Sequence, residues 1–362
     1  MPRRLIVTKP EYAELVELPS QPLADGQVRL RTLHTGLSAG TELTWFKGTN
    51  PYLAARWDAE VGLFRAGQPG QEYPVERLGY MEVGQVVETR SAAYPEGSVV
   101  AAAYGHATEH VLDPRTEHAV ALPADLDPLL GIYVAHMGPI CANGLLHAAA
   151  EAAGAGGALE LGDGVRGRLV LVTGSGVVGL LTALFAAEHG AAEVAVADAD
   201  QRRLAVAERL GFTTFDDSGT DVAAVLKDRW RHGPGDHGAD VAFQCRGRPS
   251  SLATALRSLR PQGTVVDLAF YQDGAADVRL GEEFHHNGLA LRSAQIGRVP
   301  RGLVGWWDRL RLSLETVALL GRRGADIRPC LVTDVIPLDD APALLADLAA
   351  RRRHVLQAVF EP

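Results

Sequence analysis

The spacing of apolar residues changes near residue 130 and divides the chain into two patterns. Before this point, apolar and polar residues alternate over Gln27–Thr35 and again over Glu82–Thr89, with glycine and proline between the segments. This alternation predicts half-buried β-strands joined by short turns. From Arg168 to Ala269, near-continuous apolar strands instead alternate with helical segments, which predicts a parallel sheet covered by helices on both faces. The fold class that the pattern indicates is therefore α/β.

Four further segments extend the predicted order of elements. Leu129–Ala153 is apolar and rich in alanine, which indicates helix, and the glycine-rich stretch Gly154–Gly164 is predicted to be a connector. Leu289–Gln295 is predicted to be a sixth strand at the edge of the parallel sheet. Thr49–Pro74 contains several glycines and prolines and is predicted to be a long loop with one helical turn, either a lid over a binding site or an ordinary surface excursion.

The stretch Leu169–Asp198 carries a motif with a clear chemical meaning. An apolar strand is followed by a G-x-G-x-x-G turn, a helix, and a second strand that ends at Asp198. The motif consists of Gly174, Ser175, Gly176, Val177, Val178 and Gly179. In this setting the small residues let the backbone approach a pyrophosphate at a helix N-terminus, while the Asp198 carboxylate can accept both ribose hydroxyls of an adenosine. The motif predicts a dinucleotide site.

Composition and charge argue against several classes of protein. The 362 residues are 47% hydrophobic and 22% charged, and the formal net charge is −9. This acidic balance argues against nucleic-acid binding or a membrane-surface role, and no apolar stretch is long enough to predict a membrane span. The three cysteines are scattered and imply no disulfide framework, and the N-terminus lacks the apolar core of a signal peptide. We therefore expect a cytoplasmic protein.

Several short motifs occur in a specific order along the chain. They are Gly40-Thr41-Glu42, Gly79-Tyr80-Met81-Glu82-Val83-Gly84, the glycine-rich turn with Asp198, Phe243-Gln244-Cys245-Arg246-Gly247 and Leu259-Arg260-Pro261-Gln262-Gly263. In these motifs the chain resembles the medium-chain dehydrogenase/reductase superfamily, the alcohol-dehydrogenase-like proteins, over nearly its full length. The resemblance implies a GroES-like β domain, residues 1–130 and 300–362, and an inserted Rossmann domain, residues 131–299. It also implies an NAD(P)-dependent dehydrogenase or reductase that acts on a small molecule.

A subgroup of this superfamily is similar in three further segments. These segments are Gly36-Leu37-Ser38-Ala39-Gly40-Thr41-Glu42, His136-Met137-Gly138-Pro139 and Phe284-His285-His286-Asn287. The subgroup includes proteins related to bacteriochlorophyllide dehydrogenases and to reductases of cyclitol or aminocyclitol biosynthesis. The similarity does not assign a substrate.

The chain departs from the zinc-dependent members of the superfamily at the positions that hold their catalytic metal. Where those members have a cysteine two residues before a Thr/Ser-Asp pair, this chain has Ala39. Where they have the histidine of a Gly-His-Glu motif, it has Tyr80. The third ligand would fall around Gly138–Ile140, which offers no metal-binding side chain. Because the structural zinc lobe also needs four clustered cysteines, we predict that the protein binds no zinc.

A zinc-free site must act on the substrate oxygen with hydrogen-bond donors and a proton carrier. The resemblance implies four catalytic candidates: Tyr80, Thr41, Glu42 and His136. Tyr80 either donates its hydroxyl to the substrate or packs as a buried aromatic residue, and Thr41 either relays a proton or caps a helix. Glu42 is either a general base or a structural cap. His136 either shuttles protons or is a core residue.

The resemblance also implies cofactor contacts beyond the glycine-rich turn. Arg203 lies at a position that often contacts the adenosine ribose, and it could partly offset the repulsion between Asp198 and a 2′-phosphate. Cys245 and Phe270, which follow neighbouring strands, are the remaining predicted cofactor residues. Cys245 is alternatively a small packing residue rather than a nucleophile. The carboxylate of Asp198 favours NAD over NADP.

The resulting hypothesis is a zinc-independent NAD(P)-dependent oxidoreductase. It would interconvert a secondary alcohol and a ketone on a polar small molecule such as a cyclitol, a sugar or another specialised metabolite. Three alternatives stay open: reduction of a C=C bond in an enone or quinone, transient oxidation by tightly bound NAD in an epimerase or eliminase, and a non-catalytic nucleotide-binding sensor. Since proteins of this superfamily often pair their edge strands, we also expect a homodimer joined through Leu289–Gln295.

Overall fold

The computed structural model describes residues 1–153, 160–272, 274–276 and 278–362. Within these residues the chain forms two compact units, one made of residues 1–136 and 327–362 and the other of residues 137–326. Residues 154–159 of the predicted connector Gly154–Gly164 lie outside the described residues, and its end forms a short 3₁₀ helix, Leu161–Gly164.

The first part of the chain is built mainly from short strands. They are β1 (Arg3–Lys9), β2 (Tyr12–Glu17), β3 (Val28–Gly36), β4 (Ala55–Asp58), β5 (Leu63–Ala66), β6 (Glu82–Thr89), β7 (Val99–Ala102), β8 (Glu109–Leu112) and β9 (Ala119–Ala121). The helix α1 (Ala39–Lys47) and the 3₁₀ helix Pro51–Leu53 lie between them, and the 3₁₀ helix Pro128–Tyr133 follows β9. The predicted strands over Gln27–Thr35 and Glu82–Thr89 are confirmed. Thr49–Pro74 contains the predicted helical turn, at Pro51–Leu53, but the prediction that the rest is a loop is wrong, since β4 and β5 pair as an antiparallel hairpin there.

The middle of the chain alternates strands with helices, as predicted. The elements are α2 (Met137–Ala153), β10 (Leu169–Thr173), α3 (Val177–Glu188), β11 (Glu193–Asp198), α4 (Gln201–Arg209), β12 (Thr213–Asp216), α5 (Val222–Arg229), β13 (Arg231–Gly233), β14 (Asp236–His237), β15 (Ala239–Gln244), α6 (Pro249–Ser258), β16 (Leu259–Asp267), a π-helical turn (Leu280–Phe284), β17 (Ala290–Ser293), a 3₁₀ turn (Arg301–Leu303) and α7 (Arg309–Leu331). The chain ends with β18 (Val332–Pro337), a 3₁₀ turn (Leu338–Asp340), α8 (Ala341–Ala349) and β19 (Gln357–Glu361).

A seven-stranded sheet organises the first unit. Its order is β18-β19-β3-β6-β7-β9, with β8 paired to β3 as well. All pairs are antiparallel except β18 with β19. Apolar side chains of β1, α1, α8 and β19 pack into one core that includes Leu5, Phe46, Leu345 and Phe360. This packing holds α1, which carries Thr41 and Glu42, in a fixed position against the strands.

A six-stranded sheet organises the second unit, in the order β12-β11-β10-β15-β16-β17, and every pair in it is parallel. The chain runs outward from β10 to β12 and then returns to β15 beside β10, so the strand order reverses between these two strands. A dinucleotide typically binds at the carboxyl ends of the strands at such a reversal. Leu171, Ala195, Ala242 and Val265 in the sheet are fully buried, as the continuous apolar strands predicted. The sixth strand forms the edge of the sheet.

The chain was predicted to return to the first unit near residue 300. It returns after Asp326 instead. Contacts within the second unit explain the later position. A Cβ atom on Gly138 would lie 2.1 Å from Cγ2 of Thr316, so α7 packs directly on α2. Glu188 at the end of α3 also forms ion pairs with Arg322 and Arg323 at 3.0 and 3.1 Å. Most of α7 therefore packs on the second unit.

Among the described residues, no helix combines the length and the apolar character that crossing a membrane would require.

Candidate active site

The glycine-rich turn lies at the carboxyl end of β10, and each of its glycines has a separate steric role. Gly174 has a φ of +101°, and a Cβ atom there would lie 2.8 Å from the Cβ of Arg246. A Cβ on Gly179 would lie 1.7 Å from the carbonyl oxygen of Gly174, so this glycine lets α3 pack against the turn. Gly176 instead faces open space, because a Cβ on this residue would have its nearest heavy-atom neighbour 3.9 Å away, on Arg203. The turn therefore leaves room above Gly176.

The N-terminus of α3 provides hydrogen-bond donors at this open position. The helix begins at Val177, and its cap residue Gly176 makes no side-chain capping bond. The N–H groups of Val177 and Val178 belong to the first turn, where a helix supplies no acceptor of its own. These donors and the positive end of the helix dipole favour a bound phosphate.

Asp198 connects the glycine-rich turn to the end of β11. The carboxylate is buried and accepts hydrogen bonds from the backbone N–H groups of Ser175 at 2.7 Å and Asp200 at 3.0 Å. Nη1 of Arg246 lies 3.4 Å from the same carboxylate, so part of its charge is balanced within the protein. The Ser175 hydroxyl donates to the carbonyl oxygen of Arg203 at 2.9 Å, which joins the turn to α4 as well.

The other predicted cofactor residues also lie at the carboxyl ends of the strands. Nε of Arg203 is buried and has no hydrogen-bond partner among the described residues, and its guanidinium lies beside Gly176. The backbone N–H of Cys245 donates to the carbonyl of Thr173 at 2.8 Å, and burial raises the pKa of the Cys245 thiol well above its usual value. Phe270 is 47% exposed beyond the end of β16. Because Cys245 stays a neutral thiol, it is unsuited to act as a nucleophile.

Together these features fit a dinucleotide. The space above Gly176 is open and can hold a pyrophosphate. Its hydrogen-bond donors are the first N–H groups of α3 and Nε of Arg203, which has no partner among the described residues. Asp198 lies at the end of the adjacent strand. A bound nicotinamide dinucleotide would supply a hydride acceptor or donor.

Three hydroxyl groups and an imidazole form a second cluster, in the first unit. The Tyr80 hydroxyl forms a short hydrogen bond with the Ser38 hydroxyl and lies 3.3 Å from Oγ1 of Thr41. The ring of His136 packs on the Tyr80 ring, with centroids 4.4 Å apart. Burial raises the pKa of Tyr80 in spite of the bonds from Ser38 and Thr41, so the phenol stays neutral and able to donate. We call Tyr80, Ser38, Thr41 and His136 the hydroxyl cluster.

Glu42 lies beside this cluster and belongs to a buried polar network. Its Oε1 accepts the Ser38 backbone N–H at 2.7 Å, at the start of α1, and its Oε2 lies 2.6 Å from Nε2 of His106. Nδ1 of His106 contacts the Thr35 hydroxyl at 2.6 Å, and that hydroxyl donates to Glu82 at 3.2 Å. All four network side chains, Thr35, Glu42, Glu82 and His106, are at most 1% exposed. With both oxygens bonded and no solvent access, Glu42 is placed to position α1.

The charges in this network are set by burial and by the Glu42–His106 pair. Burial alone would lower the pKa of His106, but the hydrogen bond and charge of Glu42, together with the charge of Glu82, outweigh burial, and the pKa is raised. Burial raises the pKa of Glu82, against the opposing influence of His106. A protonated His106 has a Glu42 carboxyl oxygen as the partner of Nε2 and the Thr35 hydroxyl as the partner of Nδ1, so both ring nitrogens are satisfied in the interior.

The network supports Tyr80 through Gly79. Gly79 has a φ of +98°, and a Cβ there would lie 2.9 Å from Cε1 and Nε2 of His106. Only glycine lets the chain pass over the imidazole in this conformation. His106 is in turn held in place, since its N–H donates to the carbonyl of Leu78 at 2.8 Å and its ring packs edge-on to Phe360. The buried pair therefore determines where the next residue, Tyr80, is placed.

The positions at which zinc-dependent members bind their catalytic metal do not suit a metal here. Ala39 has no ligating atom, the Tyr80 hydroxyl is bonded to Ser38, and Gly138 is packed against Thr316. Within the described ranges, no group of three or more His, Cys, Asp or Glu side chains is arranged to hold a metal ion. Burial also raises the pKa of the Cys141 thiol to about 12, which disfavours a thiolate ligand. We derive no step through a metal ion.

Sequence reasoning missed Ser38, His106 and Glu82. A serine directly before a helix was a usable signal, since serine is a preferred residue there. In the sequence, His106 stands out only together with His110, as two histidines in a β segment. Its partner Glu42 is 64 residues away, and no local pattern predicts that contact.

Comparisons with known proteins show similarity to dehydrogenases in sequence and in fold. A family model described as "Zinc-binding dehydrogenase" matches residues 177–306. D-guloside 3-dehydrogenase of Escherichia coli (strain K12) is 27% identical over 320 residues, 86% of this chain and 85% of that protein. The structure of galactitol-1-phosphate dehydrogenase from Escherichia coli is similar with a TM-score of 0.76 and 16% identity, covering 99% of this chain and 100% of that one.

A second solved structure has the same fold. A dehydrogenase structure from Sinorhizobium meliloti 1021, bound to NADP, is similar with a TM-score of 0.75 and 18% identity, covering 100% of this chain and 99% of that one. These similarities extend over the whole fold, and the glycine-rich turn has the geometry that a dinucleotide requires. The chain is therefore similar to dehydrogenases in sequence and has the fold of the medium-chain alcohol dehydrogenases, and it is an NAD(P)-dependent oxidoreductase.

Proposed function

We propose that this protein interconverts a secondary alcohol and a ketone on a polyol or sugar, uses NAD in preference to NADP, and does so without a metal ion. The observation that carries the proposal is the Tyr80 phenol, bonded to the Ser38 and Thr41 hydroxyls at the position where zinc-dependent members have a histidine. The cluster offers a proton donor and acceptor of the kind that a zinc-free reaction needs.

The hydroxyl cluster accounts for the proton in both directions. Oxidation removes one proton and one hydride from the alcohol. The Tyr80 oxygen accepts the alcohol proton as it passes its own proton to the Ser38 or Thr41 hydroxyl. In reduction, Tyr80 donates its proton to the carbonyl oxygen and is reprotonated by the same neighbours. His136, which is only half-buried, is our candidate for passing the proton on to solvent.

The preference for NAD follows from Asp198. Its buried carboxylate would repel a 2′-phosphate, although Arg246 and Arg203 reduce this repulsion. We therefore expect a preference of about tenfold, which corresponds to about 1.4 kcal/mol, rather than complete exclusion of NADP.

The substrate class is supported by the relatives. The names of the matched proteins include D-guloside 3-dehydrogenase and galactitol-1-phosphate dehydrogenase, whose substrates are a sugar derivative and a phosphorylated sugar alcohol. A neutral donor such as Tyr80 suits an uncharged hydroxyl or carbonyl group. Cyclitols, sugars and sugar alcohols are therefore the compounds to assay first.

The test is a turnover panel with the purified protein and both nicotinamide nucleotides. Cyclitols, hexitols and pyranosides are assayed for oxidation, and the matching ketones and a set of enones and quinones for reduction. We expect NAD-linked oxidation of at least one polyol or pyranoside. Turnover of enones or quinones alone would show that the protein reduces C=C bonds and would contradict the proposal.

A further inference from the structure

The β4–β5 hairpin in the first unit has two chemically different faces. Its register pairs Trp57 with Phe64 and Arg56 with Arg65. Because side chains alternate along a strand, the two aromatic rings share one face and the two arginines share the other. Arg65 is paired with Asp58 at 3.2 Å on the arginine face.

The aromatic face continues as a line of rings toward the hydroxyl cluster. The Trp57 and Phe64 centroids are 5.1 Å apart, Phe64 and Tyr52 are 5.5 Å apart, and Tyr52 and Trp45 are 6.3 Å apart. Trp45 lies on α1, four residues after Thr41, and residues four apart share one face of a helix. We call Trp45, Tyr52, Phe64 and Trp57 the aromatic platform. It starts one helical turn from a residue of the hydroxyl cluster.

The far end of the platform is open to solvent. Trp57 is 38% exposed and Phe64 is 51% exposed, although both rings are large and apolar. A contiguous exposed apolar patch marks a binding surface more often than scattered apolar residues do. The polar contact between Arg56 and Gln68, at 3.4 Å, belongs to the opposite, arginine face of the hairpin. An exposed aromatic face can stack on the C–H face of a sugar ring or on another ring.

We infer that the aromatic platform binds a second ring of the substrate, so that the preferred substrate is a glycoside with a ring-bearing aglycone rather than a free polyol. This inference rests on the proposed function. The face of an aromatic ring carries partial negative charge and attracts the C–H groups of a sugar or the edge of another ring. The oxidised sugar lies at the hydroxyl cluster, and the aglycone ring stacks on Phe64 and Trp57.

The test compares matched methyl and phenyl hexopyranosides as substrates. For the wild type, kcat/KM for the phenyl glycoside should exceed that for the methyl glycoside at least tenfold, through KM. Trp57→Ala should remove this difference and leave kcat for the methyl glycoside unchanged, and Trp57→Phe should restore most of it. Val61→Ala is the matched control, because Val61 is 54% exposed in the same hairpin but lies outside the line of rings.

Two results would overturn the inference while leaving the proposed function intact. One is equal kcat/KM for methyl and phenyl glycosides in the wild type, and the other is an equal loss for both in Trp57→Ala. If the protein oxidises no polyol or pyranoside, the proposed function fails. Calorimetric titration with phenyl hexopyranosides then tests separately whether the aromatic platform binds a ring. Binding that Trp57→Ala abolishes would support the platform, and no binding to the wild type would overturn it.

Discussion

The Tyr80 hydroxyl is hydrogen-bonded to neutral hydroxyl groups, and this arrangement lets it both donate and accept a proton. Ser38 and Thr41 each offer an oxygen that both accepts and donates a proton, whereas a charged neighbour would fix Tyr80 in one role. Burial raises the pKa of the phenol above its usual value of 10.0, so Tyr80 keeps its proton and remains a hydrogen-bond donor. The residue is thereby suited to exchange protons without carrying charge.

Tyr80→Phe tests this role directly. We expect kcat to fall by about 10²- to 10⁴-fold, the typical contribution of a positioned proton donor. Dinucleotide affinity and thermal stability should stay at wild-type values, because the ring still packs on His136. Tyr94→Phe, which removes a hydroxyl bonded to the carbonyl of Ala119 at 2.8 Å, is the matched control. Full activity in Tyr80→Phe would remove the residue from the mechanism.

The Glu42–His106 pair predicts a dependence of stability on pH. The pKa of His106 is raised in the folded protein above its reference value of 6.5. The pair therefore stabilises the fold fully below about pH 6.5, and this contribution is lost as pH rises through the folded pKa. Breaking a buried pair costs about 3–5 kcal/mol, so His106→Gln should be less stable at pH 6 by that order.

Urea unfolding between pH 6 and pH 9 measures the effect. Wild-type stability should decline relative to His106→Gln as the pH rises, whereas a variant at an exposed histidine, His286→Gln, should follow the wild type throughout. Parallel curves for the wild type and His106→Gln would mean that His106 does not carry the proton in the folded state.

Sequence motifs predicted some of these residues and not others. Tyr80 and Thr41 stand in motifs of the superfamily, so their part in the hydroxyl cluster could be expected. His106 reaches Glu42 only because β1, α1 and the segment before β8 meet in the folded unit. Such a contact depends on tertiary packing, which a single sequence does not reveal.

The elements follow the hydrophobic pattern closely wherever one face is buried. The helix predicted after the glycine-rich turn is α3, and the second strand, predicted to end at Asp198, is β11, which ends at that residue. The β4–β5 hairpin was missed because most of its residues are exposed, which leaves no alternation between apolar and polar positions. Prediction from the hydrophobic pattern requires a buried face, and few side chains of this hairpin are buried.

The turn between β10 and α3 yields a prediction from two of its glycines. Gly179→Ala places a methyl group 1.7 Å from a carbonyl oxygen, so we expect a loss of stability of at least about 1–3 kcal/mol. Gly176→Ala fits the backbone, which has φ −81° and ψ −176°, and meets no atom within 3.9 Å. It should fold normally but bind NADH at least about tenfold more weakly.

Thermal unfolding and NADH fluorescence titration separate the two effects. Weaker binding with an unchanged melting temperature is expected for Gly176→Ala alone. Wild-type affinity in that variant would show that no pyrophosphate passes over Gly176.

For the whole molecule, the edge of the parallel sheet is the predicted contact between subunits. β17 is the edge strand, and Leu291 on it is 42% exposed. An open edge with an apolar side chain favours pairing with a second copy. We expect a homodimer by light scattering that Leu291→Lys converts to monomer. Val225→Lys, at a 40% exposed site on α5, should stay dimeric, and a monomeric wild type would contradict the prediction.

The position of the boundary between the units cannot be predicted from the chain length and the order of motifs. The return to the first unit was predicted near residue 300, but α7 continues in the second unit until Asp326. The packing of Gly138 on Thr316 and the ion pairs of Glu188 decide this position. They join residues more than a hundred positions apart, so sequence spacing does not predict them.

The central claim is that the hydroxyl cluster performs the proton chemistry without a metal ion. The most direct measurement is the metal content of the purified enzyme, determined together with its rate of alcohol oxidation before and after treatment with a chelator. We predict less than one-tenth of an equivalent of transition metal, on the order of contamination only, and the same rate after chelation, because no described ligand set holds zinc. Stoichiometric zinc, with activity lost on chelation and restored by the metal, would contradict the account.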